Sequence, residues 1–131
     1  MKTFPFNEGK SMKKQDSNYV DREELLDRVE HDEELAREIL SIFQTDSATN
    51  RDLLRAAVES GNADEVRSLA HGFKGMLANL AANSTAAAAA NLEVLAKEGH
   101  TSQFVPAWQA FENELSGVLQ EVEHLLAGTL P

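Results

Sequence analysis

His71 and Lys74 are the residues whose types and spacing most directly permit covalent chemistry. Neutral imidazole is a good nitrogen nucleophile near neutral pH, since its unperturbed pKa is about 6.5, and histidine can form covalent intermediates. Lys74 follows three residues later, and side chains at that spacing on a helix are neighbours. Phosphoryl transfer depends on positioning and charge stabilisation more than on acid–base groups. The ammonium of Lys74 could therefore reach the oxygens of a phosphoryl group, if one were bound to His71.

The segment from Val66 to Asn79 has a helical period that separates two faces. At about 100° per residue, its large apolar side chains gather opposite His71, with Ala70 on the flank. The predicted core face consists of Val66, Leu69, Phe73, Met76, Leu77 and Leu80. The face around His71 consists of Arg67, Ser68, Lys74, Gly75, Ala78 and Asn79. We therefore expect His71 to project into solvent from a well-anchored helix.

Gly75 lies one turn after His71 and carries no side chain. Glycine inside a helix costs roughly 0.5–1 kcal/mol relative to alanine, and a cleared surface beside the nucleophile would explain its presence. Arg67, one turn before His71, could add positive charge, although Asp64 could pair with it instead. Asn79 could hydrogen-bond a partner or be a plain surface residue.

Start and stop signals divide the chain from Asp21 onward into helices. Asp21 with Glu24, Asp32, and Asn62 with Glu65 have the pattern of helix starts, and Gly61 and Gly99 that of helix ends. Two apolar sets, 35–43 and 53–58, flank a polar stretch at 44–52, which leaves open one long kinked helix or two helices. The third helix should reach about Ala81, before a break at Asn83 and Ser84.

The C-terminal third predicts two more helices. An alanine-rich segment at 85–99 should form a helix readily, because alanine has the highest helix propensity. The last helix should run from Thr101 or Ser102 to about Leu126, with Phe104, Trp108 and Phe111 on its apolar face. Short loops between amphipathic helices predict an all-α fold: an antiparallel up-down four-helix bundle with a short extra N-terminal helix. We assign 1–19 to a flexible lead-in, 20–127 to the bundle domain and 128–131 to a tail. As an alternative for the lead-in, Phe4 and Phe6 could dock onto the bundle.

Composition excludes several other classes. The 131 residues carry a net charge of −10, which argues against nucleic acid and anionic membrane surfaces as partners. No cysteine is present, so thiolate metal sites are impossible and a reducing cytoplasm is the expected location. No apolar run approaches the roughly 18 residues of a membrane span, and the basic N-terminus lacks the apolar stretch of a signal peptide.

No residue pattern predicts a nucleotide or metal site. The sequence lacks the glycine-rich loops that cradle phosphates, so we expect no ATP site. His31, His100 and His124 lack the setting of His71, and we interpret them as structural or solvated residues. We therefore predict no cofactor and no metal, and phosphate should come from another protein.

The segment AHGFKGMLANLAA resembles the signature of histidine-containing phosphotransfer (HPt) domains. His71, Phe73, Lys74, Gly75 and Asn79 match it in place, together with Leu80. The similarity extends from about 19 to 126. Two residues depart from the pattern: Met76 is bulkier than the usual small residue, and Ala81 stands where the family often has glycine.

The resemblance implies a phosphorelay carrier. Its donor would be a receiver-domain aspartate, the acceptor a response regulator, and Mg²⁺ would be held by the receiver. Expected partners are receiver domains and a hybrid sensor kinase, to which the chain could itself belong, and we expect a monomer. The partner surface would be Arg67, Ser68, Gly75, Ala78 and Asn79. Alternatives are an unphosphorylated helical adaptor and an enzyme, either a chemotaxis-type kinase module or a phosphohistidine phosphatase.

Overall fold

The structure is a computed structural model that describes residues 19–128, so Phe4 and Phe6 lie outside the described residues. Five α-helices form it: α1 (Arg22–Arg28), α2 (Glu33–Ser60), α3 (Ala63–Asn79), α4 (Asn83–Lys97) and α5 (Phe104–Ala127), with a 3-10 turn at Thr101–Gln103 before α5. Helix α2 packs against α3 and α5, and α4 packs against the same two helices. The all-α prediction of a four-helix bundle with a short additional N-terminal helix is confirmed.

The predicted helix starts correspond to real caps. The side chains of Asp21, Asp32 and Asn62 each accept a hydrogen bond from the backbone N–H three residues later, which satisfies one unpaired donor of the helix end. Gly61 and Gly99 end α2 and α4 at φ values of 69° and 74°, where L residues are strained.

Helix α2 is continuous across the polar stretch 44–52, which resolves the alternative that the sequence left open. Ser47 lies at its centre with no exposed surface, and its hydroxyl donates to the carbonyl of Gln44. The buried residues of α2 therefore include Ser47 between Phe43 and Leu54.

Three boundaries differ from the prediction. Helix α5 begins at Phe104 instead of Thr101 or Ser102, because Thr101–Gln103 form a 3-10 turn. Helix α3 ends at Asn79 instead of about Ala81, because Ala81 adopts a left-handed φ of 60° that no helix can contain. Asn83, predicted to mark a break, is the first residue of α4. The chain reverses over Leu80 to Ala82, and all three side chains are buried.

The core lies between the four long helices and includes the face of α3 opposite His71. Phe73 is fully buried and meets Phe111 of α5 edge to face, with ring centroids 5.1 Å apart. Ala70, predicted at the flank, is fully buried, whereas Leu69 and Met76 are only partly buried. The core of α3 is thus rotated slightly from the predicted face, toward Ala70.

The residues before α1 attach to α5. The backbone N–H of Tyr19 donates to Oε1 of Glu121 at 2.8 Å, and the Tyr19 ring covers Gly117 so closely that a Cβ there would overlap it. Tyr19, the last residue of the predicted lead-in, is therefore held against the bundle.

Candidate functional site

His71 lies in the middle of α3, and 67% of its side chain is exposed. The neighbouring Ala70 and Phe73 have no exposed surface, so the backbone beneath the imidazole is fixed by the core on both sides. The structure therefore places His71 where the helical period predicts it: in solvent, on an anchored helix.

A carboxylate from the next helix joins His71 to Lys74. Oε2 of Glu93, on α4, lies 2.8 Å from Nδ1 of His71, and Oε1 of the same carboxylate lies 2.7 Å from Nζ of Lys74. Only 19% of the Glu93 side chain is exposed, against 39% for Lys74. His71, Lys74 and Glu93 thus form one connected triad, with the carboxylate as its least exposed member.

The charge state of Glu93 follows from these contacts. The hydrogen bond from Lys74, and then that from His71, hold the pKa of Glu93 below its ordinary value of 4.5, although burial opposes this effect. Glu93 is therefore ionised near neutral pH. The contact with Glu93 is made by Nδ1, and Nε2 of His71 has no hydrogen-bond partner among the described residues.

The alanine-rich helix explains why Glu93 can reach α3. Ala86, Ala89 and Ala96 are buried on the α4 face that packs against the bundle, and such small side chains let helix backbones approach closely. At about 100° per residue, Glu93 falls between Ala86 and Ala89 on that face.

Glu93 was not predicted from the sequence, because its contact to His71 depends on the register between two helices. A signal was nevertheless present: Glu93 is an acidic residue within the alanine face of an amphipathic helix. A carboxylate in such a position is unfavourable unless it is paired with donors from the facing helix.

The predicted partner surface forms one continuous strip of α3. Arg67, Ser68, Gly75 and Asn79 are exposed and Ala78 is half-buried. A Cβ added at Gly75 would meet no atom within 4 Å, so the surface beside His71 is open. The alternative pairing of Arg67 with Asp64 is not among the ion pairs of residues 19–128.

An apolar groove of about 190 Å³ adjoins this strip between α2 and α3. Asn79 and Met76 line it from α3, and Ile39 and Ile42 line it from α2. Ile42 is 53% exposed. The end of the strip that carries Asn79 therefore offers apolar surface.

The three other histidines have different settings. His31 lies 3.0 Å from Asp27 and His100 lies 3.3 Å from Glu98, both as exposed local pairs, and His124 lies in the last turn of α5. Within the described range 19–128, no three side chains of His, Asp or Glu converge as metal ligands would. In the same part of the chain, no helix is long and apolar enough to cross a membrane.

Comparison with known proteins places this fold in a class. The family model of the Hpt domain matches residues 38–127, which is more than half of the sequence. The chain therefore belongs to the Hpt domain family, as its resemblance predicted, and is a histidine phosphotransfer protein of a two-component phosphorelay that works with receiver domains of response regulators.

A solved structure supports the same assignment. The chain is similar to the crystal structure of histidine-containing phosphotransfer protein B (HptB) from Pseudomonas aeruginosa PAO1, with a TM-score of 0.77 and 27% sequence identity. The similarity covers 83% of this chain and 95% of that chain. No curated protein matches the sequence.

Proposed function

We propose that His71 is the phosphoacceptor, which takes a phosphoryl group from a receiver-domain aspartate and passes it to a response regulator. The observation that carries this proposal is the setting of His71: it is two-thirds exposed at the centre of an anchored helix, within a triad that includes an ammonium. His31 and His100 have only exposed local acidic partners.

Lys74 stabilises the phosphoryl group electrostatically in this proposal. Its Nζ and the His71 ring contact the same carboxylate, so the ammonium is held within reach of a group bound to the imidazole. Arg67 adds a second positive charge on the same face, against a chain whose net charge is −10.

The receiver docks on the strip formed by Arg67, Ser68, Gly75, Ala78 and Asn79. The open surface at Gly75 supports close approach of the two reacting centres, which in-line transfer requires. The apolar groove next to Asn79 extends the surface that a partner can bury.

The remaining features complete the proposal. The chain acts as a monomeric cytoplasmic phosphocarrier without an ATP site of its own, Mg²⁺ is held by the receiver, and a hybrid sensor kinase supplies the phosphate. Absence of phosphate-binding loop motifs from the sequence supports the lack of an ATP site.

Phosphorylated receiver domains from the same genome test the role of His71. Wild type and His100→Gln should take up label, whereas His71→Gln should take up none while its helical circular dichroism stays unchanged, because an exposed side chain contributes little to stability. Undiminished label on His71→Gln, or label that is stable in acid and labile in base, would contradict the proposal. Receiver binding without any label on wild type would favour the adaptor.

Incubation with ATP and Mg²⁺ tests the absence of an ATP site. The isolated chain should neither label itself nor hydrolyse ATP. ATP-dependent label in the absence of a kinase would favour the enzyme alternative.

A further inference from the structure

We propose that Arg67 and Lys97 determine which receivers the chain accepts: they form a cationic pair beside His71 that favours receivers with carboxylates next to the phosphorylated aspartate. This inference rests on the proposed function, in which the receiver docks around His71. Two observations carry it: these two cations have no partner within the described part of the chain, and both lie on the docking surface.

The lysines and arginines of the described residues differ in how their charges are satisfied. All but two are engaged inside the chain: carboxylates pair with Arg22, Arg28, Arg51, Arg55 and Lys74, and Arg37 donates to the backbone carbonyl of Leu126. Within residues 19–128, Arg67 and Lys97 have neither an ion pair nor a side-chain hydrogen bond, and both are exposed. Glu98, which follows Lys97, contacts His100 instead. In a chain with a net charge of −10, two unengaged cations are an exception.

Helical geometry places Arg67 and Lys97 near each other. Helices α3 and α4 pack together as antiparallel neighbours across a short turn, and Glu93 of α4 meets His71 of α3. Arg67 lies one turn before His71 and Lys97 one turn after Glu93, so both are displaced in the same direction along the bundle, by about 6 Å. About the axis of α3, Arg67 is also only about 20° from Lys74, which contacts Glu93. The two cations therefore lie on either side of the boundary between α3 and α4, about one turn from His71.

A receiver that docks around His71 must cover this cationic pair. A standard interface buries about 800 Å² on each partner, which corresponds to a disc of about 16 Å radius. Arg67 and Lys97 lie well inside such a disc. Removing a cation from water is unfavourable unless an opposite charge replaces the lost hydration. Because the chain offers the pair no such charge, a well-fitting receiver has to supply carboxylates.

The opposite end of the docking surface has a different character. Asn79, two turns after His71, lines the apolar groove together with Met76 and Ile42, and the one charged residue of the groove lining is Asp46. The docking surface is therefore cationic at one end, and apolar with a single carboxylate at the other. Complementary charges fix the register of an interface and suppress wrong partners, so this asymmetry also sets the orientation of the receiver.

Association of the full chain with purified, fluorescently labelled receivers tests the inference. Receivers from the same genome are divided into those with an acidic surface around the phosphorylated aspartate and those with a neutral or basic one. The double variant Arg67→Gln/Lys97→Gln should associate with acidic receivers roughly tenfold more slowly than wild type at low ionic strength. This difference should disappear near about 1 M salt, where the Debye length is about 3 Å. Receivers with a neutral or basic surface should associate with the variant at least as fast as with wild type.

Arg55→Gln is the matched control for each single substitution. It removes the same charge from α2, but on the side that faces α5, where Arg55 pairs with Glu112. Its association rates should equal those of wild type, whereas Arg67→Gln and Lys97→Gln should each be slower with acidic receivers. The double variant Arg67→Lys/Lys97→Arg keeps both charges and should retain most of the wild-type rate.

Three results would overturn the inference, with circular dichroism as the check that each variant is folded. The first is an equal association rate of wild type and Arg67→Gln/Lys97→Gln with acidic receivers. The second is a loss of rate that is the same for acidic and basic receivers. The third is faster loss of the phosphoryl group from the isolated, phosphorylated double variant with association unchanged, because the two cations would then act on the phosphoryl group and not on the receiver. Absence of label from His71 in wild type would instead overturn the proposed function, since association is measured without transfer.

Discussion

Two negatively charged groups compete for the ammonium of Lys74: the carboxylate of Glu93 and an incoming phosphoryl group. In the unphosphorylated chain the ammonium lies 2.7 Å from Glu93, so an incoming phosphoryl group must compete with that carboxylate for it. A phosphoryl group carries close to two negative charges and binds cations strongly. A lysine side chain, which is a flexible stem with a compact charge, can turn from one acceptor to the other.

Replacement of Lys74 should reveal how much this charge contributes. We expect receiver-to-His71 transfer rates to decrease in the order wild type, Lys74→Arg, Lys74→Ala, Lys74→Glu. Arginine keeps the charge but its rigid fork pairs more firmly with Glu93, and glutamate repels both Glu93 and the incoming dianion. Lys74→Ala should also lose some stability, about 1 kcal/mol or less, because it removes the cation that pairs with Glu93 between α3 and α4.

Transfer rates of the four proteins at one ionic strength check this order, since exposed charges are screened by salt. Equal rates for wild type, Lys74→Ala and Lys74→Glu would show that the charge of Lys74 has no role in transfer.

Residue types and their spacing in the sequence predicted His71 and Lys74, but not Glu93, the third member of the triad. His71 and Lys74 are neighbours within one helix, so their spacing is readable from the sequence. Glu93 lies 22 residues after His71, and its contact depends on how α3 and α4 pack. The hydrophobic period within each helix does not show how two helices pack against each other.

At the scale of the element, α3 combines a fixed core face with an open exposed face. Phe73 anchors one side against Phe111, while Gly75 leaves the other side flat next to His71. Glycine weakens the helix by roughly 0.5–1 kcal/mol relative to alanine. That loss is compatible with function because the helix is held by its buried face.

Gly75→Leu should separate stability from transfer. A Cβ at this position meets no atom within 4 Å, so the helix should be as stable or more stable. Transfer from a receiver should nevertheless fall sharply, because leucine blocks the approach of the reacting centres. Ala110→Leu, which places a leucine side chain at an exposed position of α5, is the control and should transfer normally.

Thermal unfolding and transfer kinetics of both variants check this prediction. Normal transfer by Gly75→Leu would show that the open surface is not where the receiver docks.

The turn between α3 and α4 contains a strained residue, Ala81, at the position where the family pattern often has glycine. Ala81 has a φ of 60°, a region that costs L residues roughly 1–2 kcal/mol. Glycine adopts this conformation freely. The family's frequent glycine at this position therefore meets a backbone requirement, and alanine meets it here under strain.

Ala81→Gly and Ala82→Gly should differ in stability by about 1–2 kcal/mol, the strain that only the first relieves. Both side chains are buried. Each substitution therefore destabilises the folded chain in the same two ways. It removes a buried methyl, at about 0.8 kcal/mol, and it lets the unfolded chain adopt more conformations, at about 0.4–1 kcal/mol. Ala82 has a φ of −92° and no strain to relieve. Urea unfolding should therefore show Ala82→Gly clearly destabilised and Ala81→Gly close to wild type; equal losses would mean that Ala81 is not strained.

At the scale of the whole molecule, the helical periods were sufficient for the fold but not for every boundary. Apolar spacing and caps predicted a bundle, because amphipathic helices with short loops must cover one another's apolar faces. The continuity of α2 was undecided, since the residue that continues its buried face is Ser47, whose hydroxyl is satisfied by its own helix. A polar residue in that role cannot be recognised from hydrophobic spacing.

Ion pairs between helices make the stability of the whole bundle depend on pH. Glu93 joins α3 to α4 and Glu112 joins α2 to α5, and each contact involves a cation that holds the carboxylate ionised. Hydrogen bonds from Lys74 and His71 lower the pKa of Glu93, and those from Arg55 and, secondarily, Arg51 lower the pKa of Glu112, in both cases against burial.

The direction of the pH dependence follows from these lowered pKa values. Below the ordinary value of 4.5, an unfolded chain binds protons at these carboxyls that the folded chain does not, so stability falls as pH falls. The stability that each ion pair contributes is fully present above pH 4.5 and is lost as the pH falls through the pKa of the carboxyl in the folded chain.

Glu112→Gln should be less stable than wild type near neutral pH. This difference should shrink in acid, because wild type then loses the stability that the variant already lacks. Glu123→Gln, which removes an exposed carboxylate from α5, should differ little from wild type at neutral pH. Urea midpoints from about pH 7 to about pH 3 measure these differences, and a gap between wild type and Glu112→Gln that stayed constant in acid would show that this ion pair does not carry the linkage.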